Sequence, residues 1–135
     1  MLDFGAEVDS AGPVADRRDR GLRAYRSGAA AEAGIARDYQ RRGFAIAGRR
    51  WRGQGGEIDL IARKDGNVIF IEVKAARDFA TAAARLGARQ MRRLYAAAGE
   101  FLDGEPAGQL TPARFDVALV DGRGAYQIVE NAFGA

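Results

Sequence analysis

Gly56-Glu57-Ile58-Asp59-Leu60-Ile61-Ala62-Arg63-Lys64, Asp65-Gly66, then Asn67-Val68-Ile69-Phe70-Ile71-Glu72-Val73-Lys74 is the stretch that decides the fold. Two apolar-rich runs flank an Asp-Gly pair. A two-residue type I′ turn needs positive φ at both central residues, and Asp-Gly supplies it, so the stretch predicts a β-hairpin. With Asp65 and Gly66 as the loop, Lys64 faces Asn67 and every facing pair sums to 131. Asp59 then faces Glu72, and Glu57 faces Lys74. Because side chains alternate along a strand, Glu57, Asp59, Glu72 and Lys74 are expected on one face. Ile58, Leu60, Ile69, Ile71 and Val73 are expected on the other. Carboxylates directly opposite one another repel, so this face calls for a neutralising partner: a divalent cation together with Lys74.

The elements around the hairpin follow from period and punctuation. Ser27 is a candidate N-cap for a helix over Ala29–Arg42, with Ala31, Ile35, Ala36 and Tyr39 as its apolar stripe and Gly43 as its stop. Phe44–Trp51 reads as a strand, and residues 53–56 as a flexible glycine loop. Residues 78–87 carry no decisive pattern. Ala88–Leu102 has Met91, Leu94, Tyr95, Ala98, Phe101 and Leu102 at helical spacing, ended by Gly104. Residues 103–112 read as a loop, and Arg114–Val120 and Ala125–Val129 as a second strand pair. The expected order is α-β-β-β-α-β-β, an α/β fold with a mixed sheet and helices packed on it. Residues 1–26 lack a clean period and read as a disordered tail; 27–135 read as one domain.

Composition removes whole reaction classes. The 135-residue chain has no histidine and no cysteine. It can build no Ser-His-Asp triad, no Cys-His pair and no thiolate or HExxH zinc site. A catalytic acid or base must be Asp, Glu, Lys, Tyr or a metal-activated water. A metal site must be oxygen-rich, which suits Mg²⁺ or Mn²⁺. No apolar run approaches the ~18 residues of a membrane span, and the acidic N-terminal residues do not resemble a secretory signal. A cytoplasmic protein with no membrane role is the expectation.

Nineteen of the 21 basic residues are arginines, and they cluster. Eleven lie between Arg17 and Arg52, against only Asp19, Glu32 and Asp38. Arg85, Arg89, Arg92 and Arg93 form a second group with no acid among them. The planar guanidinium binds phosphate bidentately, so the arrangement points to a nucleic-acid partner, with DNA preferred. Arg49, Arg50 and Arg52, beside Trp51 and the glycine loop, are candidates for phosphate contact. So are the four arginines around the start of the Ala88–Leu102 helix, since helix N-termini attract phosphate. The competing reading is a solvated basic surface, with Trp51 a core anchor at a strand end. The glycine loop lacks a GK[ST] ending and is not a P-loop.

The paired motif Gly56-Glu57-Ile58-Asp59-Leu60-Ile61-Ala62 and Phe70-Ile71-Glu72-Val73-Lys74 resembles the PD-(D/E)xK nuclease signature. More narrowly, it resembles a YraN-type family of uncharacterised bacterial proteins with a restriction-endonuclease-like fold. Ala31-Glu32-Ala33, Asp38-Tyr39, Gly43-Phe44, Arg114-Phe115-Asp116-Val117 and Asn131-Ala132-Phe133 extend the resemblance over about residues 28–133. It implies a core sheet flanked by helices and a Mg²⁺ or Mn²⁺ site. Asp59 and Glu72 would be metal ligands, joined by the Val73 carbonyl and by Glu32 of the first helix. Lys74 would be the catalytic lysine, and Glu57 an accessory acid. The chain departs from the pattern at Ala76, where an arginine is usual, and at Arg89, where a lysine is. The implied activity is a metal-dependent endonuclease acting on structured or branched DNA. The alternatives are a binding module that keeps the fold without catalysis, and a protein-interaction scaffold. Dimerisation is left open.

Overall fold

The computed structural model describes residues 28–133, and the N-terminal tail and the Ser27 cap lie outside them. Helix α1 occupies residues 28–41 of the described chain. Strands β1 (Ala45–Arg52), β2 (Glu57–Lys64) and β3 (Asn67–Ala75) follow, then helices α2 (Phe79–Ala84) and α3 (Ala88–Leu102). A 3-10 turn at Gly108–Leu110 leads into strands β4 (Ala113–Val120) and β5 (Tyr126–Val129). The strands form one sheet in the order β1-β2-β3-β4-β5, antiparallel throughout except for the parallel pair β3–β4. This is the expected mixed sheet flanked by helices. The undecided segment 78–87 holds α2, whose start is fixed by Asp78 accepting the Thr81 N–H.

Local chemistry sets each boundary. Asp65 and Gly66 have φ of 54° and 80°, the type I′ geometry, and Lys64 pairs with Asn67 as counting from the turn requires. α1 ends in a Schellman motif. The Gly43 N–H reaches the Gln40 carbonyl, the Phe44 N–H reaches the Tyr39 carbonyl, and Gly43 takes a φ of 96°. Tyr39 and Phe44 then meet edge to face, 5.5 Å between ring centroids, completing the motif's hydrophobic contact. The continuous run Val68-Ile69-Phe70-Ile71 is buried on both sides, as a central strand bordered by a parallel neighbour demands.

Two apolar layers enclose the sheet. On one side, Ile35, Ala36 and Tyr39 of α1 pack on Leu60, Ala62, Ile69, Ile71 and Ala118. On the other, Leu94, Ala97, Ala98 and Leu102 of α3 cover Ile58, Ile61, Val68 and Phe70. The α1 layer contains a fully buried carboxylate, Asp116. It accepts hydrogen bonds from the Tyr39 hydroxyl (2.6 Å), the Arg114 Nε and Nη2 (2.9 and 3.2 Å) and the Asn131 N–H (3.0 Å). These bonds join α1, β4 and the segment after β5. Removing the acceptor takes the shared partner from the buried Tyr39 hydroxyl and leaves Arg114 the longer contact with Glu130 at 3.7 Å. We expect Asp116→Ala to lower the urea unfolding free energy by about 3 kcal/mol, and Tyr39→Phe, which deletes one donor, by about 1 kcal/mol.

Candidate active site at the parting of two strands

The β2–β3 ladder runs from Lys64–Asn67 to Leu60–Ile71 in the anticipated register and ends there. Asp59 does not continue the ladder opposite Glu72. Its Oδ2 instead accepts the N–H of Val73 at 2.8 Å, taking the place a backbone carbonyl would hold. A matching irregularity lies in β1. Arg49 pairs with Leu60 and Trp51 with Ile58, so Arg50 stands across from Asp59, and Arg50 has a left-handed φ of 48°. Side-chain alternation fails at this point. Ile58, expected beside Leu60 and Ile71, packs with Ile61 and Phe70 under α3. Strict period-2 counting holds only while the ladder is regular.

Glu72, only 6% exposed, forms the floor of the site. Lys74 Nζ lies 3.2 Å from its Oε2, and the Gln90 side-chain amide of α3 donates to the same oxygen. The Asp59 and Glu72 carboxyls are close enough across the gap between the strands for each to perturb the other. Burial pushes the Glu72 pKa up to about 8, with the Asp59 charge adding to the rise and Lys74 opposing it. Asp59 is raised as well, by burial first, against the Val73 N–H that favours its charged form. Both shifts favour the protonated forms, so the pair resists carrying two negative charges. A divalent cation would take the place of a proton there.

The outer candidates are arranged differently from the sequence expectation. Glu57 approaches Arg52 at 3.7 Å, and Lys74 takes Glu72 instead of Glu57. Glu32 is bound by Arg50 Nε at 3.1 Å. Its pKa is raised by burial and by the Asp59 charge, so it lies within electrostatic reach of the pair. Among the described residues no three acidic side chains converge into a ready-made metal cluster. Gln90 was missed. Its signal was a polar residue one turn before Leu94 on the sheet-facing stripe of α3.

A groove of about 540 Å³ opens over Asp59 and Glu72. Its walls include Gly56, Glu57, Arg85, Arg89, Gln90 and Arg93, with Gly87, the N-cap of α3, at one end. Three of the four arginines of the second cluster thus line the walls above the acidic floor, and Arg85 Nη1 donates to the Ala75 carbonyl at 3.2 Å. Arg92 is exposed outside the groove, as are Arg49, Arg50 and Arg52 on β1. The glycine loop is docked, not free. Glu100 accepts the N–H groups of Gln54 and Gly55, each at 2.7 Å, and a Cβ on Gly55 would stand 2.6 Å from that of Ala96. Trp51 is a core anchor, edge-on to Phe101.

A five-stranded mixed sheet flanked by helices, with acids and a lysine where two of its strands part, defines a mixed α/β protein. The chain belongs to the uncharacterised protein family UPF0102, whose profile matches residues 31–120. A UPF0102 protein of Ruegeria pomeroyi is 65% identical over 115 residues, covering 85% of this chain and 94% of its own length. One of Cereibacter sphaeroides is 61% identical over 111 residues, covering 82% and 95%. One of Dinoroseobacter shibae is 43% identical over 115 residues, covering 85% and 86%. The YraN-type resemblance is thereby borne out.

The acid pair makes stability depend on pH. The folded pKa of Glu72 lies above its unfolded value, so its contribution is fully present below about pH 4.5 and is lost as pH rises through about 8. Metal-free protein should lose on the order of 2 kcal/mol of unfolding free energy between pH 5 and pH 8 in denaturant titrations. Glu72→Gln should remove most of that slope.

Proposed function

We propose that this chain is a metal-dependent nuclease of the cytoplasm that hydrolyses phosphodiester bonds in structured or branched DNA. One observation carries the proposal: a buried carboxyl, Glu72, and a half-buried one, Asp59, both with raised pKa values, lie beside a lysine at the floor of a groove walled by three arginines.

The donor set fits a hard cation such as Mg²⁺ or Mn²⁺, because it offers carboxylate and carbonyl oxygen and neither imidazole nor thiolate. Asp59, Glu72 and the carbonyl of Val73 would hold it. In an extended strand a residue's N–H and C=O point to the same side, so the Val73 carbonyl faces the gap that β2 leaves. When bound, the cation supplies charge neutralisation at the phosphoryl group and acidifies water. Lys74 carries three N–H donors and uses one toward Glu72. The others suit a water approaching phosphorus or the charge that develops on the phosphoryl oxygens. Gln90 fixes the Glu72 carboxyl, and Arg85, Arg89 and Arg93 hold flanking phosphates against the α3 N-terminus.

A non-catalytic binding module on the same fold is the second reading, favoured by the absence of a three-acid cluster among the described residues. Asp59→Ala separates the two. A nuclease should lose at least ~100-fold in cleavage rate while its DNA affinity stays within about threefold. If wild-type protein with Mn²⁺ cleaves no duplex, flap, junction or RNA, the binding module stands. Arg89→Ala and Arg93→Ala should each lower affinity and reduce the slope of log K against log salt by about one.

A further inference from the structure

Arg50 stands on β1 between two acids. The ladder pairs on either side place it across from Asp59. Its guanidinium binds Glu32 of α1, whose own surroundings include the Asp59 and Glu57 charges. Glu32 is the acid that would complete a three-carboxylate site, and Arg50 is the group that occupies it. From this geometry we infer that Arg50 is a latch: it holds Glu32 out of the cation site until a substrate phosphate takes the arginine over. The inference rests on the metal-dependent reading above.

The exchange is physically favourable in both directions it requires. The Arg50 side chain is 45% exposed, and a pair of that kind contributes only about 0–1 kcal/mol. A phosphate diester offers the same guanidinium a bidentate partner with its own charge. Once released, Glu32 loses the charge that offsets the Asp59 and Glu57 carboxylates in its surroundings. Like charges that close favour uptake of a cation, and the Glu32 carboxylate is a suitable ligand for it. The groove would then bind its cation weakly when empty and tightly when nucleic acid is present. Stray hydrolysis and futile metal occupancy are both limited by such coupling, which is reciprocal between phosphate and cation.

Mn²⁺ binding, read by electron paramagnetic resonance without nucleic acid, tests the latch. Arg50→Gly is the variant of choice, because glycine adopts the observed left-handed φ without strain. The latch predicts that Arg50→Gly binds Mn²⁺ roughly tenfold more tightly than wild type, and that Glu32→Gln alone changes wild-type affinity less than twofold. In the Glu32→Gln background the gain from Arg50→Gly should vanish. A gain that persists there marks simple loss of a positive charge and overturns the latch, as does an unchanged affinity in Arg50→Gly. Mn²⁺ binding by neither wild type nor Arg50→Gly would remove the metal-dependent reading itself, and the latch with it.

Discussion

A carboxylate standing in for a backbone carbonyl organises this molecule. Every buried N–H needs an acceptor. At Val73 the acceptor is the Asp59 side chain, where a continued ladder would have provided main chain. Because the side chain is longer than the carbonyl it replaces, β2 must stand off from β3 at that residue. The consequences run outward from there. Ile58 turns under α3, Arg50 takes a left-handed backbone on the neighbouring strand, and the Glu72 carboxyl is left facing the gap. The groove is the opening between two strands that have ceased to pair, roofed by the first turn of α3.

What was legible in the sequence was whatever depends on local rules. The Asp65-Gly66 turn set the hairpin register for as long as the ladder lasted. Gly43 after an apolar stripe gave the end of α1, and helical spacing gave α3 to the residue. The features that local rules do not reach involve partners chosen in three dimensions. Glu57 facing Lys74 assumed that alternation continues to the strand end, and the parting at Asp59 cancels it. Gln90 lies eighteen residues from Glu72, on an element whose rotation against the sheet no local pattern states. The glycines at 53, 55 and 56 suggested mobility, yet they are small so that the loop can lie against α3 under Glu100. Three of the groove arginines were found because a cluster at a helix start is a local feature.

The described residues hold two kinds of acid withdrawn from solvent, and the difference between them separates structure from chemistry. A carboxylate has about four acceptor positions. Asp116 receives four donors and a guanidinium charge, so it is saturated and has nothing left to offer a ligand. Asp59 and Glu72 together receive three donors from the protein, those of Val73, Lys74 and Gln90, for about eight acceptor positions. Burial raises the affinity of both groups for a proton, so the open positions favour a proton or a cation. A site built for stability alone would pair such acids with a second cationic side chain. Here Arg50 on the neighbouring strand binds Glu32, and the groove arginines stand along its walls. The deficit of positive charge is therefore localised at the floor of the groove, where a cation and a phosphate can be accommodated together.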